Sequence, residues 1–227
     1  SGSGKSVTLR ALMRLLPRQA QISGCVTVGG KDVLSLTERK LADLRGSEIA
    51  MIFQEPAVSF DPIYTVGRQI TESIRRHENV SGAEAQQRAL DLFERVQLPS
   101  PERRLRAFSH ELSGGMGQRA MIALALACQP SVLLADEPTT ALDATVQIQI
   151  LLLLRELQRE LGTSIIFITH DLGVVAEMAD EVLVMYAGHI VERGSVYTIF
   201  DAPQHPYTHA LQQSVPKLTD SKQHPLT

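Results

Sequence analysis

The chain reads as an α/β protein: a parallel sheet covered by helices, with an antiparallel β portion and an inserted α-helical subdomain. Three observations predict this. Late in the chain the pattern alternates strand, helix, strand, helix through VLLAD (132–136), DATVQIQILLLLRELQREL (143–161), SIIFITH (164–170) and LGVVAEMAD (172–180). Such alternation argues parallel strands joined by crossover helices, with active residues at the strands' C-terminal ends. Between Val66 and about Leu98 the apolar period is helical instead. Finally, alternating runs turn at Gly29-Gly30 and again at Ala187-Gly188, which predicts two hairpins.

Taken in order, Lys5 to Leu16 carries apolar residues at Val7, Leu9, Leu12, Leu15 and Leu16 and stops at Pro17, predicting one helix with a buried face. ISGCVTVGGKDVL (22–34) is the first hairpin, and EIAMIFQ (48–54) is a short buried strand that delivers Gln54 at its C-terminal edge. Ser81 and Glu84 form an S-x-x-E capping box before AEAQQRALDLFERV. LSGGMGQRA (112–120) opens a further helix, and EVLVMYAGHIVERG (181–194) is the second hairpin. The tail beyond Pro216 is polar and expected to be loosely held. We divide the chain into a core of 1–60 and 119–200, a helical subdomain of 61–118, and a C-terminal extension of 201–227.

Composition sets bounds. A length of 227 residues at 44% apolar content supports a full core, and a net charge of −3 with both signs interspersed carries no polycationic footprint for nucleic acid or anionic lipid. Nucleic acid is therefore not an expected partner. The cluster Arg103-Arg104-Leu105-Arg106 reads as a solvated face or a protein contact. Cys25 and Cys128 lack CxxC spacing, which argues against a disulfide framework or a zinc site and fits a reducing cytosol. AMIALALAC (120–128), the longest apolar run, is half a membrane span, and no signal peptide is visible. Membrane association is expected to come through a partner.

The chemistry concentrates in short motifs. SGSGKS (1–6) matches the end of the phosphate-loop pattern G-x-x-x-x-G-K-[ST], whose first glycine would fall two positions before Ser1. Ser1, Gly2, Ser3 and Gly4 then curl backbone amides around phosphates, Lys5 offers a point charge to the β and γ oxygens, and Ser6 is the expected magnesium ligand. A Gly-Ser linker gives a similar string, but not one followed by Lys-Ser and an apolar helix. Ser113-Gly114-Gly115 at a helix start leaves amides free to approach a phosphate, although alone it also reads as an ordinary cap. Asp136 and Glu137 end an apolar strand, so one carboxylate can hold metal through water and the other can act as base; capping the next turn is their alternative role.

These segments, in this order, resemble the nucleotide-binding domain of ABC transporters from Ser1 to about Pro216. SGSGKS resembles the Walker A loop, IFQEP (52–56) the Q-loop, LSGGMGQ (112–118) the signature and VLLADEP (132–138) Walker B. TALD (140–143) is similar to the D-loop and ITHD (168–171) to the switch-histidine segment. Among subfamilies, FQEP, THDLGVVAE (169–177) and PQHPYTHAL (203–211) most resemble the ATP-binding subunits of dipeptide, oligopeptide and glutathione importers.

The resemblance implies a P-loop NTPase (RecA-like) core that binds ATP with Mg2+ and hydrolyses it. Ser6, Gln54 and Asp136 become metal-side residues, while Glu137, His170 and Gln54 become catalytic. Ser113, Gly114 and Gly115 would bind the γ-phosphate held by the Lys5 loop of a second ATP-binding domain, in a head-to-tail homo- or heterodimer. Asp143 would help join the two sites, with an N-cap of the following helix as its equal alternative. The Q-loop and helical subdomain would grip a membrane permease subunit, with Phe60 and Pro62 as exposed-loop contacts, and a substrate-binding protein would act indirectly. The place implied is the cytoplasmic face of the bacterial inner membrane.

The chain departs from the family at Gly117, where relatives usually carry a larger side chain. The family's preceding strand and adenine-stacking aromatic lie upstream of Ser1, so residues 1–227 alone are expected to bind ATP weakly or not at all. Two other readings compete with the importer: a soluble ABC-type ATPase acting on ribosomes or DNA, and a non-hydrolysing ABC half. The first usually carries paired domains or basic extensions, and the second is opposed by the intact Glu137, Gln54 and His170.

Overall fold

A computed structural model describes residues 2–140 and 142–214, the side chains of 57 and 58 excepted. Ser1, Ala141 and the chain from 215 onward, which includes the end of the expected C-terminal extension, lie outside the described residues. The chain divides into two compact units, one of Leu9–Ile168 and one of Ser1–Thr8 with Thr169–Thr227.

α1 (Lys5–Leu12) is shorter than its apolar pattern predicts. Arg14 adopts φ 52° and ends the run before Pro17. The reason is tertiary: the Arg45 guanidinium donates to Met13 O at 3.0 and 2.7 Å and to Arg14 O at 3.0 Å, satisfying carbonyls at the helix end. Burial holds the Arg45 pKa below its ordinary value. Leu9 and Met13 enter the core, whereas Val7 and Leu15 stay exposed.

β1 (Thr27–Val28) and β2 (Lys31–Asp32) pair antiparallel. Gly29 at φ 55° and Gly30 at φ 76° supply the left-handed pair a two-residue hairpin turn requires. α2 (Glu38–Leu44), capped by Thr37, buries Leu41 and Leu44. β3 (Ile49–Ile52) is buried at every position, as a strand covered on both faces should be.

α3 (Pro56–Ser59) is a single short turn, followed by α4 (Val66–His77), α5 (Gly82–Arg95), α6 (Pro101–Leu105) and α7 (Gly114–Leu126). Their apolar residues fall on single stripes: Val66, Ile70 and Ile74 on α4, Ala85, Ala89 and Phe93 on α5. Gly67 lets α4 and α6 touch, since a Cβ there would stand 2.5 Å from Leu105 O. Ser81 Oγ accepts from Glu84 N at 3.2 Å, the first half of the expected capping box. The Glu84 carboxylate turns instead to Arg88, at 3.1 Å.

β4 (Val132–Asp136) lies between β3 and β5 (Ser164–Ile168) in a three-stranded parallel sheet, with Ile52 opposite Ala135 and Asp136 opposite Ile168. α8 (Ala144–Leu161) connects β4 to β5, buries Ile150, Leu151, Leu153, Leu154 and Leu157, and ends at Gly162. Leu9, Val33, Leu41, Ile49, Met51, Leu134 and Ile168 belong to one apolar cluster that backs this sheet.

In the other unit, α9 (Leu172–Met178) is capped by Asp171, whose Oδ1 accepts from Gly173 N at 2.8 Å. β6 (Glu181–Tyr186) and β7 (His189–Ser195) form the second hairpin, turning at Ala187 and Gly188 as predicted. α10 (Val196–Asp201) and α11 (Pro206–Gln213) follow. Glu192 on β7 accepts from Gln204 N at 2.7 Å and His205 N at 3.1 Å, and His205 Nδ1 accepts from Tyr207 N at 3.1 Å as the cap of α11. His205-Pro206-Tyr207 thus forms the joint on which α11 turns, with Tyr207 against Tyr186 at 4.5 Å between ring centroids.

Candidate functional site

In the Leu9–Ile168 unit the sheet brings two predicted residues together. The parallel register sets Ile52 beside Ala135, and two residues further on Gln54 reaches Glu137, Nε2 donating to Oε2 at 3.4 Å. Asp136 closes β4 at 2% exposure. Glu137 then leaves the strand at φ 47°, a left-handed conformation that costs a non-glycine residue on the order of 1–3 kcal/mol and turns its side chain away from the strand's alternation. Hydrogen bonds hold it there. Its N–H donates to Ile168 O at 3.0 Å, its carbonyl accepts from Thr140 N at 3.1 Å, and its Oε2 accepts from Thr140 Oγ1 at 2.9 Å and from Gln54. A buried carboxylate beside a half-buried, oriented one can hold a cation with the first and align a water with the second.

The signature turn lies in the same unit. Ser113 caps α7, its Oγ accepting from Met116 N at 3.4 Å. Ser113 and Gly114 are exposed, so the orphan amides and the positive end of the helix dipole face solvent at a place an anion can reach. Asp143 caps α8 through Oδ1, accepting from Val146 N at 2.9 Å. Its cap role is therefore real, whatever further part it plays.

Residues 2–6 and His170 belong to the other unit. Gly2 at φ 91° and Gly4 at φ 88° hold backbone conformations that side chains rarely adopt. Ser3 O accepts from Gly188 N at 3.1 Å, anchoring the loop on the β6–β7 turn. Lys5 opens α1, Lys5 and Ser6 are half-buried, and Thr8 Oγ1 returns to Gly4 O at 3.0 Å. Ser1 falls outside the described residues. His170 is exposed and follows β5 by two residues, just before the α9 cap.

One expected contact residue is misplaced by the sequence. Phe60 is not an exposed loop residue: it is 4% exposed, because α3 turns it inward and an aromatic ring there gains by burial. Pro62 is exposed as expected, and Ile63 beside it is 74% exposed. The Gln69 side chain closes this loop, accepting from Asp61 N at 2.9 Å and donating to Asp61 O and Tyr64 O at 3.0 Å. Arg68 stacks over Tyr64 at 4.2 Å. Sequence reasoning also missed Thr140. Its only signal is a hydroxyl placed three residues after an acid, a common turn-closing arrangement.

A Cβ on Gly117 would stand 3.3 Å from Pro56 Cβ, so the missing side chain lets α7 pack close against α3 just past Gln54.

Comparison with known proteins agrees with these features. A family model described as ABC transporter matches residues 1–140, and one described as oligopeptide/dipeptide transporter, C-terminal region, matches 191–227. A probable peptide ABC transporter ATP-binding protein of Sinorhizobium fredii is 55% identical over 218 residues, covering 95% of this chain and 65% of its own length. The oligopeptide transport ATP-binding protein OppD of Bacillus subtilis is 53% identical, covering 100% of this chain and 64% of its own length. The glutathione import ATP-binding protein GsiA of Shigella flexneri is 54% identical, covering 96% and 36%. The chain thus spans less than two thirds of the length of these relatives. Among solved structures, a dimeric ATP-binding cassette in a post-hydrolysis state bound to ADP and Pi matches with TM-score 0.75 at 28% identity, covering 86% of this chain and 82% of that one. The fold is that of an ABC ATPase cassette, and the chain belongs to the ABC transporter family.

Proposed function

We propose that this chain is the ATP-binding and hydrolysing part of a subunit that powers import of peptides, of the di-/oligopeptide or glutathione type, across the bacterial inner membrane. The observation that carries the ATPase reading is the convergence of Gln54 and Thr140 on Glu137, whose strained backbone sits next to buried Asp136. The names of the relatives favour import over a soluble ATPase working on ribosomes or DNA.

The residues present fit a magnesium nucleotide. At Gly2 no atom of the described residues beyond its chain neighbours lies within 4 Å of where a Cβ would stand, and at Gly4 the nearest such atom is Met185 Cε at 3.6 Å, so the loop offers an open backbone face. Ser6, Gln54 and Asp136 offer oxygen donors, the chemistry a hard cation takes. In this reading a bound Mg2+ would supply charge neutralisation at the nucleotide oxygens. Ser1, Gly2, Ser3, Gly4 and Lys5 would cradle the phosphates, Ser6, Gln54 and Asp136 would hold the cation, and Glu137 would align and deprotonate the attacking water. Gln54 and Thr140 fix the orientation of that carboxylate, and His170 donates to the γ-phosphate.

Ser113, Gly114 and Gly115 bind the terminal phosphate of nucleotide held by the Lys5 loop of a second ATP-binding domain, with Asp143 joining the two sites. We assign 1–60 and 119–200 to the catalytic core, 61–118 to a helical subdomain facing a permease at the cytoplasmic side of the membrane, and 201–227 to an extension. Pro62 and Ile63 are the exposed apolar residues best suited to that permease contact. A substrate-binding protein completes the system. The reading is tested by peptide-stimulated phosphate release from the full-length protein reconstituted with its permease. Release that Lys5→Ala abolishes is expected, and release indifferent to that change would contradict it.

A further inference from the structure

The N-terminal halves of α7 and α8 interlock along one seam. A Cβ on Gly115 would stand 2.9 Å from Val146 Cγ1, closer than real Cβ atoms approach, and one on Gly114 would stand 3.7 Å from Leu142 Cδ2. One turn further along α7, Arg119 is 8% exposed. Its Nη2 donates to Gln149 Oε1 on α8 at 3.1 Å, and its Nη1 donates to Val96 O at the end of α5 at 2.8 Å. The two contacts are about one turn apart on both helices, since 115 to 119 on α7 faces 146 to 149 on α8. Two points one turn apart fix both the spacing and the rotation of the pair. Sliding or rolling either helix would strip an acceptor from a buried guanidinium, which is costly. At the far end of α8 a third tie, Arg95 to Glu160, joins it to α5. The seam begins at Ser113 and Asp143, the caps of the two helices.

We propose that Val146 and Gln149 are positioning residues that gear the Ser113–Gly115 turn to the start of α8, so that both move as one rigid element and an anion caught at the turn is felt at Asp143. The mechanical half of this inference stands alone; the part played by ATP rests on the reading in the preceding subsection. Neither Val146 nor Gln149 needs to touch nucleotide. Gln149 supplies an acceptor to Arg119, and Val146 supplies the wall that Gly115 leans on.

The test is amide hydrogen exchange on the full-length protein, with and without Mg-ATP. Without nucleotide, Gln149→Leu is expected to speed exchange about threefold or more at both 114–119 and 144–149, leaving β4 unchanged. Gln149→Glu keeps the acceptor and should restore slow exchange. Gly115→Ala should loosen both segments through its clash, and adding Val146→Ala should reverse that by making room. Faster exchange confined to 144–149, acceleration spread equally to β4, or a Gly115→Ala effect indifferent to Val146→Ala would overturn the proposal. With Mg-ATP, wild-type protection at both segments supports it, and protection at 114–119 alone contradicts it. Protection at neither segment refutes the nucleotide reading, and the seam is then judged on the nucleotide-free results.

Discussion

Gln54 and Glu137, 83 positions apart, meet because β3 and β4 run parallel in a register that sets Ile52 beside Ala135. Extending both chains by two residues delivers an amide to a carboxylate at 3.4 Å. If that carboxylate is the general base, Glu137→Gln keeps the shape of the site and removes its proton acceptor. Turnover should fall by about 10²-fold or more while bound ATP is retained, as read by phosphate release and nucleotide content. Near-normal hydrolysis would remove Glu137 from the role.

Thr140 Oγ1 donates to Glu137 Oε2 at 2.9 Å, closer than the 3.4 Å contact from Gln54. Losing a hydrogen bond to a charged group costs about 1.5 kcal/mol or more, so Thr140→Val should lower kcat about tenfold. Thr140→Ser keeps the donor and should stay close to wild type. Equal rates for the valine and serine variants would show that the hydroxyl does not orient the carboxylate.

The close approach of Gly117 to Pro56 makes a graded prediction. Alanine gains about 1 kcal/mol of helix propensity, opposed by the 3.3 Å contact with Pro56 Cβ, so Gly117→Ala should leave the melting temperature nearly unchanged. A large side chain cannot be accommodated so simply. Gly117→Leu should push α3 away, disturb Gln54 just before it, and lower turnover more than stability. Comparing melting temperature with turnover in both variants checks this.

Glu192 ties α11 to β7 and is held below the ordinary carboxylate value of 4.5, first by the Gln204 N–H. A depressed folded-state pKa means the tie is fully present above 4.5 and is lost as pH falls through the folded value. Exchange of the α11 amides should therefore accelerate below pH 4.5 beyond its intrinsic pH dependence. Glu192→Gln should flatten that response, and an unchanged pH profile in the variant would assign the acid sensitivity elsewhere.

Much of this was legible in the sequence, for physical reasons. VLLAD and SIIFI are short apolar runs of strand length and both form strands, β4 buried along most of its length and β5 with Ile166 left 44% exposed. Gly29-Gly30 and Ala187-Gly188 mark their hairpins because left-handed turns have few solutions. What failed was non-local. The length of α1 depends on Arg45, distant in sequence, taking the Met13 and Arg14 carbonyls, and the burial of Phe60 depends on how α3 turns. At the candidate site the strand ends pointed to Gln54, Asp136 and Glu137. The left-handed backbone of Glu137 and the Thr140 tie had no pattern to announce them, since both follow from tertiary closure of the turn after β4.

The central claim is that each nucleotide is held by Lys5 of one protomer and Ser113 of another, and mixing inactive variants tests it most directly. In a Glu137→Gln background, Lys5→Ala and Ser113→Arg should each fail to form an ATP-retaining dimer. Mixed together, they gather both lesions into one composite site and leave the other intact, so the account predicts recovery of an ATP-dependent dimer by sedimentation, with one nucleotide per pair. A mixture as inactive as its components, alongside a dimer that forms readily without further substitution, would contradict it.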